Sequence, residues 1–203
     1  RGDAYPCFMT SDELESMTKH QNKLRVRPGY HGSWAEWRDR PEADVLAALD
    51  RGMPFVIRYR STGNIKKRRI IQDAARGKLE MPENDNDIVI MKHDGLPTYH
   101  LAHVLDVYLM HTTLVVRGGE WIPSTTLHMQ LCETLGYKPF TYAHIAPLQK
   151  IEGNSRRKLS KRKDPEANIG YYTKQGYLPQ VLIEYLLNQA NSAYEGWRYS
   201  NPN

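Results

Sequence analysis

The sequence predicts a mixed chain, with an α+β region of antiparallel strands up to about Pro97 and an α/β region beyond it. Strand-like stretches before Pro97 are separated by short turns, and this spacing favours antiparallel pairing. After Pro97, helical and strand patterns alternate at the spacing of a parallel, doubly wound sheet. Too few strands follow Pro97 to close such a sheet around a ligand crevice, so we expect about half of a doubly wound domain there.

Two helices are predicted before Pro97. Thr10 and Glu13 have the spacing of a capping box, which indicates a helix over Ser11–Leu24. A second helix is expected over Pro41–Gly52, because proline favours the first turn of a helix and glycine favours its end. The strands predicted in this region are Pro54–Arg60, Arg69–Gln72 and Asp87–Met91, with a turn at Ser61–Asn64.

The elements after Pro97 follow from apolar spacing and capping residues. Four apolar residues recur at helical spacing: Leu101, Val104, Leu105 and Tyr108. Ser124 is predicted to cap a further helix, with Leu127, Leu131 and Leu135 on one face and Gly136 at its end. The other predicted elements are strands over Thr112–Gly118 and Tyr142–Leu148 and helices over Glu166–Gln175 and Pro179–Ala190.

Composition excludes several classes of protein. The 203 residues are 40% hydrophobic and 25% charged, which is typical of a globular chain rather than a disordered one. No apolar stretch approaches the roughly 20 residues that span a bilayer, so we expect no membrane partner. The two cysteines are too few for a disulfide framework or a four-thiolate metal site. A cytoplasmic location is therefore expected.

Positive charge is concentrated in two short segments. The chain has 28 Lys and Arg against 23 Asp and Glu. Lys66–Arg69 reads KKRR, and residues 156–163 read RRKLSKRK, with six cations in eight positions. Such clusters suit phosphate-bearing partners, although solvated basic loops have the same composition.

Residues Lys158–Arg162 are the strongest candidates for chemistry. Two lysines flank a small hydroxyl residue, Ser160, on a segment expected to be a mobile loop. Lysines so placed can hold a polyphosphate and stabilise the charge that builds on it during transfer. The GxxxxGK[ST] pattern of a Walker-type phosphate loop is absent.

A second candidate site combines Arg117 with the stretch DGLPTYHLAH, Asp94–His103. Arg117 follows an apolar strand, at the edge of the sheet where open α/β folds bind ligands. Its planar guanidinium suits a carboxylate. Tyr99 and His103 are four residues apart, so on a helix they share a face. Taken alone, they could equally be a core tyrosine and a surface histidine.

Four segments together resemble glutamyl-tRNA synthetase, a class I aminoacyl-tRNA synthetase, in its bacterial form. AYPCFMTSDELE is similar to the AY-x-C-x-x-T-x-EEL segment of that family, and PTYHLAHVLD is similar to PTYHLANVVDD. VVRGGEWIPST is similar to VIRGEEWLPST, and RKLSKRKDPEA carries the KLSKR form of the KMSKS signature. The resemblance runs from Ala4 to Trp197 in the same order.

The resemblance implies a ligase that activates L-glutamate with ATP and Mg²⁺ and then transfers it to the 3′ end of tRNA(Glu). By motif position, the glutamate-binding residues would be Tyr99, His100, Leu101, Ala102, His103 and Arg117. The ATP-binding residues would be Glu120, Leu148, Lys158, Leu159, Ser160, Lys161 and Arg162, with Leu148 on a strand bordering the adenine. Lys158 and Lys161 would be catalytic, with Lys161 contacting the phosphates.

The resemblance also implies an internal portion of such an enzyme. The sequence contains no His-x-Gly-His of the HIGH type and no anticodon-binding region. Residues 1–97 would form the α+β connective domain that binds the tRNA acceptor end, and residues 98–150 the second half of the Rossmann-like catalytic fold. Residues 151–203 would hold the KLSKR loop and the start of a helical segment. We expect the chain alone to make no adenylate.

No zinc site is expected, and three alternative functions stay open. Some relatives bind zinc through a Cys-x-Cys pair, but here the segment reads Cys7-Phe8-Met9. A glutaminyl enzyme or a paralogue that glutamylates a tRNA base would share most motifs. A non-catalytic tRNA-binding relative would explain the missing HIGH segment but would not need Lys158–Arg162.

Overall fold

The computed structural model describes residues 2–202 and divides into two compact units. The amino-terminal unit comprises the residues up to Val115 together with Trp121–Ala143; the carboxyl-terminal unit comprises Val116–Glu120 together with the residues from His144 on. The helices are α1 (Ser11–Lys23), α2 (Glu42–Asp50), α3 (Tyr99–Leu109), α4 (Thr125–Leu135), α5 (Ile169–Lys174), α6 (Pro179–Ala190) and α7 (Tyr194–Ser200). The strands are β1 (Ala4–Cys7), β2 (Val56–Tyr59), β3 (Arg68–Asp73), β4 (Gly77–Pro82), β5 (Val89–Met91), β6 (Val115–Gly118), β7 (Tyr142–Ile145), β8 (Gln149–Glu152) and β9 (Ser155–Lys158).

The strands before Pro97 pair antiparallel with one another, as predicted. One sheet has the order β1-β2-β5, with β1 and β2 in register from Ala4↔Tyr59 to Cys7↔Val56. A second sheet has the order β4-β3-β7-β6, in which β3 and β4 form an antiparallel hairpin. β3 also pairs with β7, in parallel, at Asp73↔Tyr142, so a strand from before Pro97 belongs to the same sheet as a strand from after it.

The fold is therefore a mixed α/β arrangement. The bounds of its two compact units are not the same as those of the three predicted domains. The division into residues 1–97, 98–150 and 151–203 remains a prediction. Among residues 2–202, no helix combines the length and the apolar character that crossing a bilayer requires.

Local capping signals locate most helix ends correctly. The backbone N–H of Thr10 donates to Glu13 Oε2 at 2.7 Å, and the N–H of Glu13 donates back to Thr10 Oγ1 at 3.3 Å. Gly136 ends α4 in the left-handed conformation, with φ of 79°. The prediction for Ser124 is wrong: its backbone is helical, because it continues the 3-10 turn Gly119–Ser124, and its side chain caps nothing.

The predicted mobile basic loop begins instead as a strand. β8 and β9 form an antiparallel hairpin from Gln149↔Lys158 to Glu152↔Ser155, and Gly153 turns the chain with a positive φ of 59°. Leu148 lies in the connection between β7 and β8, not on a strand as predicted. The hairpin escapes sequence reasoning because its cations give β9 the composition of a solvated loop.

The larger core cluster lies in the amino-terminal unit, where α3 and α4 pack beside β2. Its buried members are Tyr59, Val104, Leu127, Leu131 and Cys132. Leu127 and Leu131 belong to the apolar face predicted for α4, so that face is confirmed. Burial raises the pKa of the Cys132 thiol to about 12, which leaves this cysteine protonated and unreactive.

A buried carboxylate joins the elements of the same unit. Asp87 is fully buried and accepts hydrogen bonds from Tyr5 Oη at 2.6 Å, from Arg38 Nη1 at 2.5 Å and from the N–H of Ser61 at 2.8 Å. Arg58 Nη1 donates to the Asp87 carbonyl oxygen at 2.7 Å. Burial, and then the bond to Asp87, raise the pKa of Tyr5, so its hydroxyl is a permanent donor. One carboxylate therefore connects β1, the loop before α2 and the turn after β2.

We predict that Asp87→Asn lowers the free energy of unfolding by about 3 kcal/mol, because it removes the fully buried negative charge that pairs with half-buried Arg38. Urea-induced unfolding measures the loss. Asp39→Asn is the matched control, since Asp39 also pairs with an arginine, Arg60, but is 78% exposed. The control should lose less than about 1 kcal/mol. Equal losses would contradict the structural role of Asp87.

Candidate functional site

Lys158, at the end of β9, forms an ion pair with Glu120 across the carboxyl-terminal unit. Both side chains remain largely exposed, at 63% for Lys158 and 43% for Glu120. The hydrogen bond from Lys158 lowers the pKa of Glu120, which stays ionised at neutral pH. The structure thus brings together two residues that the sequence assigned separately to ATP.

The residues after Lys158 continue along the hairpin and then turn. The N–H of Leu159 donates to the carbonyl of Leu148 at 2.9 Å, so these two predicted ATP-binding residues are also neighbours. Lys161 and Arg162 are exposed. Within residues 2–202, neither side chain makes a hydrogen bond or an ion pair with protein atoms. Their charges are therefore available to an anionic ligand.

A cavity of about 440 Å³ lies beside the hairpin in the carboxyl-terminal unit. This volume is within the range of small-molecule sites. Lys150 Nζ and Glu166 Oε1 form an ion pair at 2.5 Å at its wall, and this contact raises the pKa of Lys150. The apolar lining residues are Leu148, Ile151, Leu159, Ala167, Ile169, Tyr172, Leu182, Tyr185 and Leu186.

Arg117, on β6, is held by a buried histidine of β7. Its Nε donates to Nε2 of His144 at 2.9 Å, and His144 is 1% exposed. Because a guanidinium can only donate, His144 Nε2 must carry the lone pair, so this imidazole is neutral with its proton on Nδ1. The bond fixes the plane of the guanidinium at the carboxyl end of β6. Sequence reasoning missed His144, since it occupies a strand read as apolar.

Tyr99 and His103 share a face of α3 in the amino-terminal unit, as their spacing predicted. Their rings stack with centroids 5.5 Å apart and an interplanar angle of 26°. Tyr99 also contacts Trp121, whose ring centroid lies 4.5 Å from that of Tyr99. Tyr99 is 46% exposed, so the alternative of a core tyrosine is wrong.

Two further histidines extend this aromatic group. His100 Nδ1 lies 3.0 Å from Nε2 of His128, so one ring donates a proton and the other accepts it. His128 is fully buried on α4, and its ring centroid lies 4.5 Å from that of His103. His103 Nε2 also lies 3.2 Å from the hydroxyl of Tyr142. Leu101 and Ala102 are half-buried on α3 between these rings in sequence.

The predicted site residues therefore fall into two groups, each assembled within one unit. Tyr99–His103 lie in the amino-terminal unit, whereas Arg117, Glu120, Leu148 and Lys158–Arg162 lie in the carboxyl-terminal unit. Sequence reasoning missed His128 and Tyr142 because polar residues inside apolar elements carry no periodic signal. In the part of the chain that the structure describes, no three His, Cys, Asp or Glu side chains are grouped to hold a metal ion. The absence of a zinc site stays a prediction.

Comparison with known proteins identifies glutamate–tRNA ligases as relatives of this chain. Residues 1–196 match the model of the family described as tRNA synthetases class I (E and Q), catalytic domain. The chain is 50% identical over 216 residues to the glutamate–tRNA ligase of Sorangium cellulosum (strain So ce56), a match that covers 100% of this chain and 38% of the relative. It is 48% identical over 202 residues to the glutamate–tRNA ligase of Clostridium perfringens (strain 13 / Type A), covering 100% and 37% respectively.

Solved structures agree with these sequence matches. The glutamate-tRNA synthetase from Elizabethkingia anophelis aligns with a TM-score of 0.72 and 30% identity, over 89% of this chain and 40% of that chain. A glutamate tRNA ligase from Elizabethkingia meningosepticum CCUG26117, crystallised in complex with its amino acid, aligns equally well over 39% of its length.

The chain spans 38% and 37% of the two curated relatives, so it corresponds to part of their length. The family match nevertheless extends over all the elements from β1 to α6 and the first three residues of α7. By that match, the chain belongs to the class I tRNA synthetases of the glutamate and glutamine group, within their catalytic domain.

Proposed function

We propose that this chain supplies the glutamate-binding residues and the KLSKR segment of a glutamate–tRNA ligase. The observation that carries the proposal is the guanidinium of Arg117, oriented by a neutral, buried histidine at the end of a strand. A fixed guanidinium in this position is suited to a carboxylate. The relatives named glutamate–tRNA ligase support glutamate as the amino acid.

Arg117 would distinguish glutamate from glutamine by charge. A carboxylate can accept two parallel hydrogen bonds from the guanidinium, whereas an amide presents one acceptor and an NH₂ group that faces other donors. A site built to bind a carboxylate leaves hydrogen-bonding groups unpaired when it holds an amide. Such unpaired groups give strong discrimination between the two substrates. Such discrimination disfavours a glutaminyl enzyme. Tyr99 and His103 are proposed as glutamate-binding residues from their motif position alone.

Lys158, Lys161 and Arg162 would bind the phosphates of ATP. Glu120 holds Lys158 in the structure, and an incoming phosphate would compete for that ammonium group. Lys161 and Arg162 would meet the phosphates directly, and positive charge fixed beside them stabilises the transition state of adenylate formation. Leu148 and Leu159, whose backbones are hydrogen-bonded to each other, would border the adenine.

Mg²⁺ would enter with ATP rather than on a protein site. The carboxylates near the KLSKR segment are already engaged: Glu120 binds Lys158, and Asp164 binds Arg157 and Lys150. Mg²⁺ prefers six oxygen ligands and usually keeps several waters. Phosphate oxygens and water would therefore supply its coordination, and its charge would offset that of the phosphates.

The tRNA acceptor end would lie against the basic segment Lys66–Arg69, which leads into β3. Lys66, Lys67 and Arg68 are exposed there. Arg69 is different, because both its terminal nitrogens bind Glu133, at 2.8 and 3.1 Å. Three of the four cations in the KKRR cluster are thus available to phosphates. The HIGH-type half of the catalytic site and the anticodon-binding region would come from segments outside this sequence.

We predict that Arg117→Ala raises the KM for glutamate about 50-fold, the effect of losing charge-assisted hydrogen bonds in a desolvated site. The assay is glutamate-dependent ATP–pyrophosphate exchange in a chimera, in which residues 2–202 replace the matching segment of the Sorangium cellulosum ligase. The KM for ATP should change less than twofold. Arg51→Ala is the control, since Arg51 is exposed and its Nε binds the carbonyl of Ala47 in the same helix. An unchanged glutamate KM would reject this role for Arg117.

We predict that Lys161→Ala lowers kcat of the same exchange reaction about 100-fold, because one preorganised positive donor is lost at the transition state. The KM for glutamate should stay within twofold. Lys163→Ala removes an exposed cation two residues away and should lower kcat less than threefold. Similar losses in both variants would mean that general positive charge, not Lys161, supports the reaction.

We predict that the double variant Lys66→Ala and Lys67→Ala reduces the salt dependence of tRNA binding by this chain. Each cation that neutralises a phosphate contributes about 0.9 to the slope of log affinity against log salt. Filter binding across salt concentrations should show a slope smaller by between about 1 and 2. Replacing Lys19 and Lys23 on α1 by alanine should leave the slope unchanged if the basic segment is the binding surface.

A further inference from the structure

Asp164 is a buried carboxylate immediately after the KLSKR segment. Its side chain is 2% exposed, although it follows three exposed cations. It binds Arg157 of β9 through two parallel bonds, from Nη1 to Oδ2 at 2.6 Å and from Nη2 to Oδ1 at 2.7 Å. Lys150 of β8 reaches Oδ1 at 3.4 Å. Asp164 therefore attaches the end of the segment to both strands of the hairpin.

The same carboxylate also bonds directly to the backbone of the segment. The N–H of Ser160 donates to Asp164 Oδ2 at 2.7 Å, and the N–H of Asp164 donates to the carbonyl of Ser160 at 2.9 Å. The N–H of Lys163 adds a bond to that carbonyl at 3.2 Å. These reciprocal bonds close a ring over Ser160–Asp164. The backbone that carries Lys161 and Arg162 is thus held by two backbone bonds within the turn and by the carboxylate of Asp164.

The side chain of Asp164 stays ionised at neutral pH. The bonds from Arg157 and from the N–H of Ser160 hold the pKa of Asp164 well below its usual range. Desolvation acts in the opposite direction but is the smaller effect. The carboxylate is accordingly a permanent acceptor for both the guanidinium and the backbone.

We propose that Asp164 is a positioning residue, which fixes the backbone of Ser160–Lys163 in the conformation that binds a polyphosphate. The polyphosphate part rests on the proposed function; the fixing of the backbone does not. A segment ordered before the ligand arrives loses less entropy on binding, and its charges need not reorganise when the phosphate charge changes. Asp164 itself contacts no substrate in this role.

Glu152 provides a control within the same network. It also binds Arg157, from Nε to Oε2 at 3.0 Å and from Nη2 to Oε1 at 2.5 Å, but it makes no bond to Ser160. Arg157 thus bridges two carboxylates, of which only Asp164 reaches the segment. Asp164→Asn and Glu152→Gln change the net charge equally and remove one partner of Arg157 each. Only the first should release the backbone.

Limited trypsin digestion of this chain tests the fixed backbone. Lys158, Lys161 and Arg162 are cleavage sites inside the segment, and mass spectrometry identifies which bonds are cut. We expect cleavage there to be about tenfold faster in Asp164→Asn and within twofold of the wild-type rate in Glu152→Gln. Asp164→Glu keeps a carboxylate and should restore at least half of the protection. Equal rates in the Asn and Gln variants would overturn the proposal.

Binding of inorganic tripolyphosphate, measured by calorimetry, separates positioning from electrostatics. Removing a negative charge beside a cationic segment should by itself tighten the binding of an anion. Positioning predicts the opposite: about tenfold weaker binding by Asp164→Asn, with Glu152→Gln unchanged or slightly tighter. Binding that tightens equally in both variants would overturn the role of Asp164, and a merely structural role would shift the unfolding midpoint without weakening the affinity of the folded protein.

Two further outcomes are distinguishable. If the wild-type chain binds no tripolyphosphate, the proposed nucleotide role of the segment fails, while faster cleavage of Asp164→Asn still supports its hold on the backbone. If Asp164→Asn does not fold, Arg157→Lys replaces it, since lysine keeps the charge and the trypsin site but cannot form the two-bond clamp. We then expect about threefold faster cleavage, and an unchanged rate would overturn the proposal.

Discussion

Each unit of this chain contains a buried carboxylate that binds both an arginine and a backbone N–H. Asp87 binds Arg38 and the N–H of Ser61, and Asp164 binds Arg157 and the N–H of Ser160. Burying an ionised carboxylate without a partner would cost much free energy. Each of these carboxylates therefore keeps its arginine and its backbone N–H within hydrogen-bond distance. In both cases an arginine binds the acid, and the acid accepts a hydrogen bond from the backbone N–H of a turn. The first turn ends a strand of the fold, and the second carries the cations of the candidate site.

Helices could be predicted from the sequence more fully than strands. The reciprocal bonds of Thr10 and Glu13, and the helix over Pro179–Ala190, follow from local chemistry that needs no tertiary context. The β8–β9 hairpin does not, because its cationic strand is stabilised by partners elsewhere in the chain, among them Asp164. Ser124 failed as a cap for a related reason, since the preceding 3-10 turn had already fixed its backbone.

The candidate site shows the same division. The motif residues could be named from the sequence because their types and order carry the resemblance. Their supports could not: His144, His128 and Asp164 are single polar residues, which have neither periodicity nor a spacing rule. Their importance is visible only as burial combined with a specific hydrogen-bond partner. Sequence therefore indicates which groups meet the ligand, whereas structure indicates what holds those groups.

The parallel pair between β3 and β7 also constrains the order of folding. Asp73 pairs with Tyr142, and the N–H of Ala74 donates to the Tyr142 carbonyl at 2.8 Å. During synthesis, β3 and its hairpin partner β4 leave the ribosome long before β7 exists, so one edge of β3 stays open until translation has passed Tyr142. Contacts between distant parts of a chain slow folding, and open strand edges expose intermediates to aggregation. Lys66, Lys67 and Arg68 are exposed at the start of β3, and their positive charge would repel a second copy of the chain while β7 is absent.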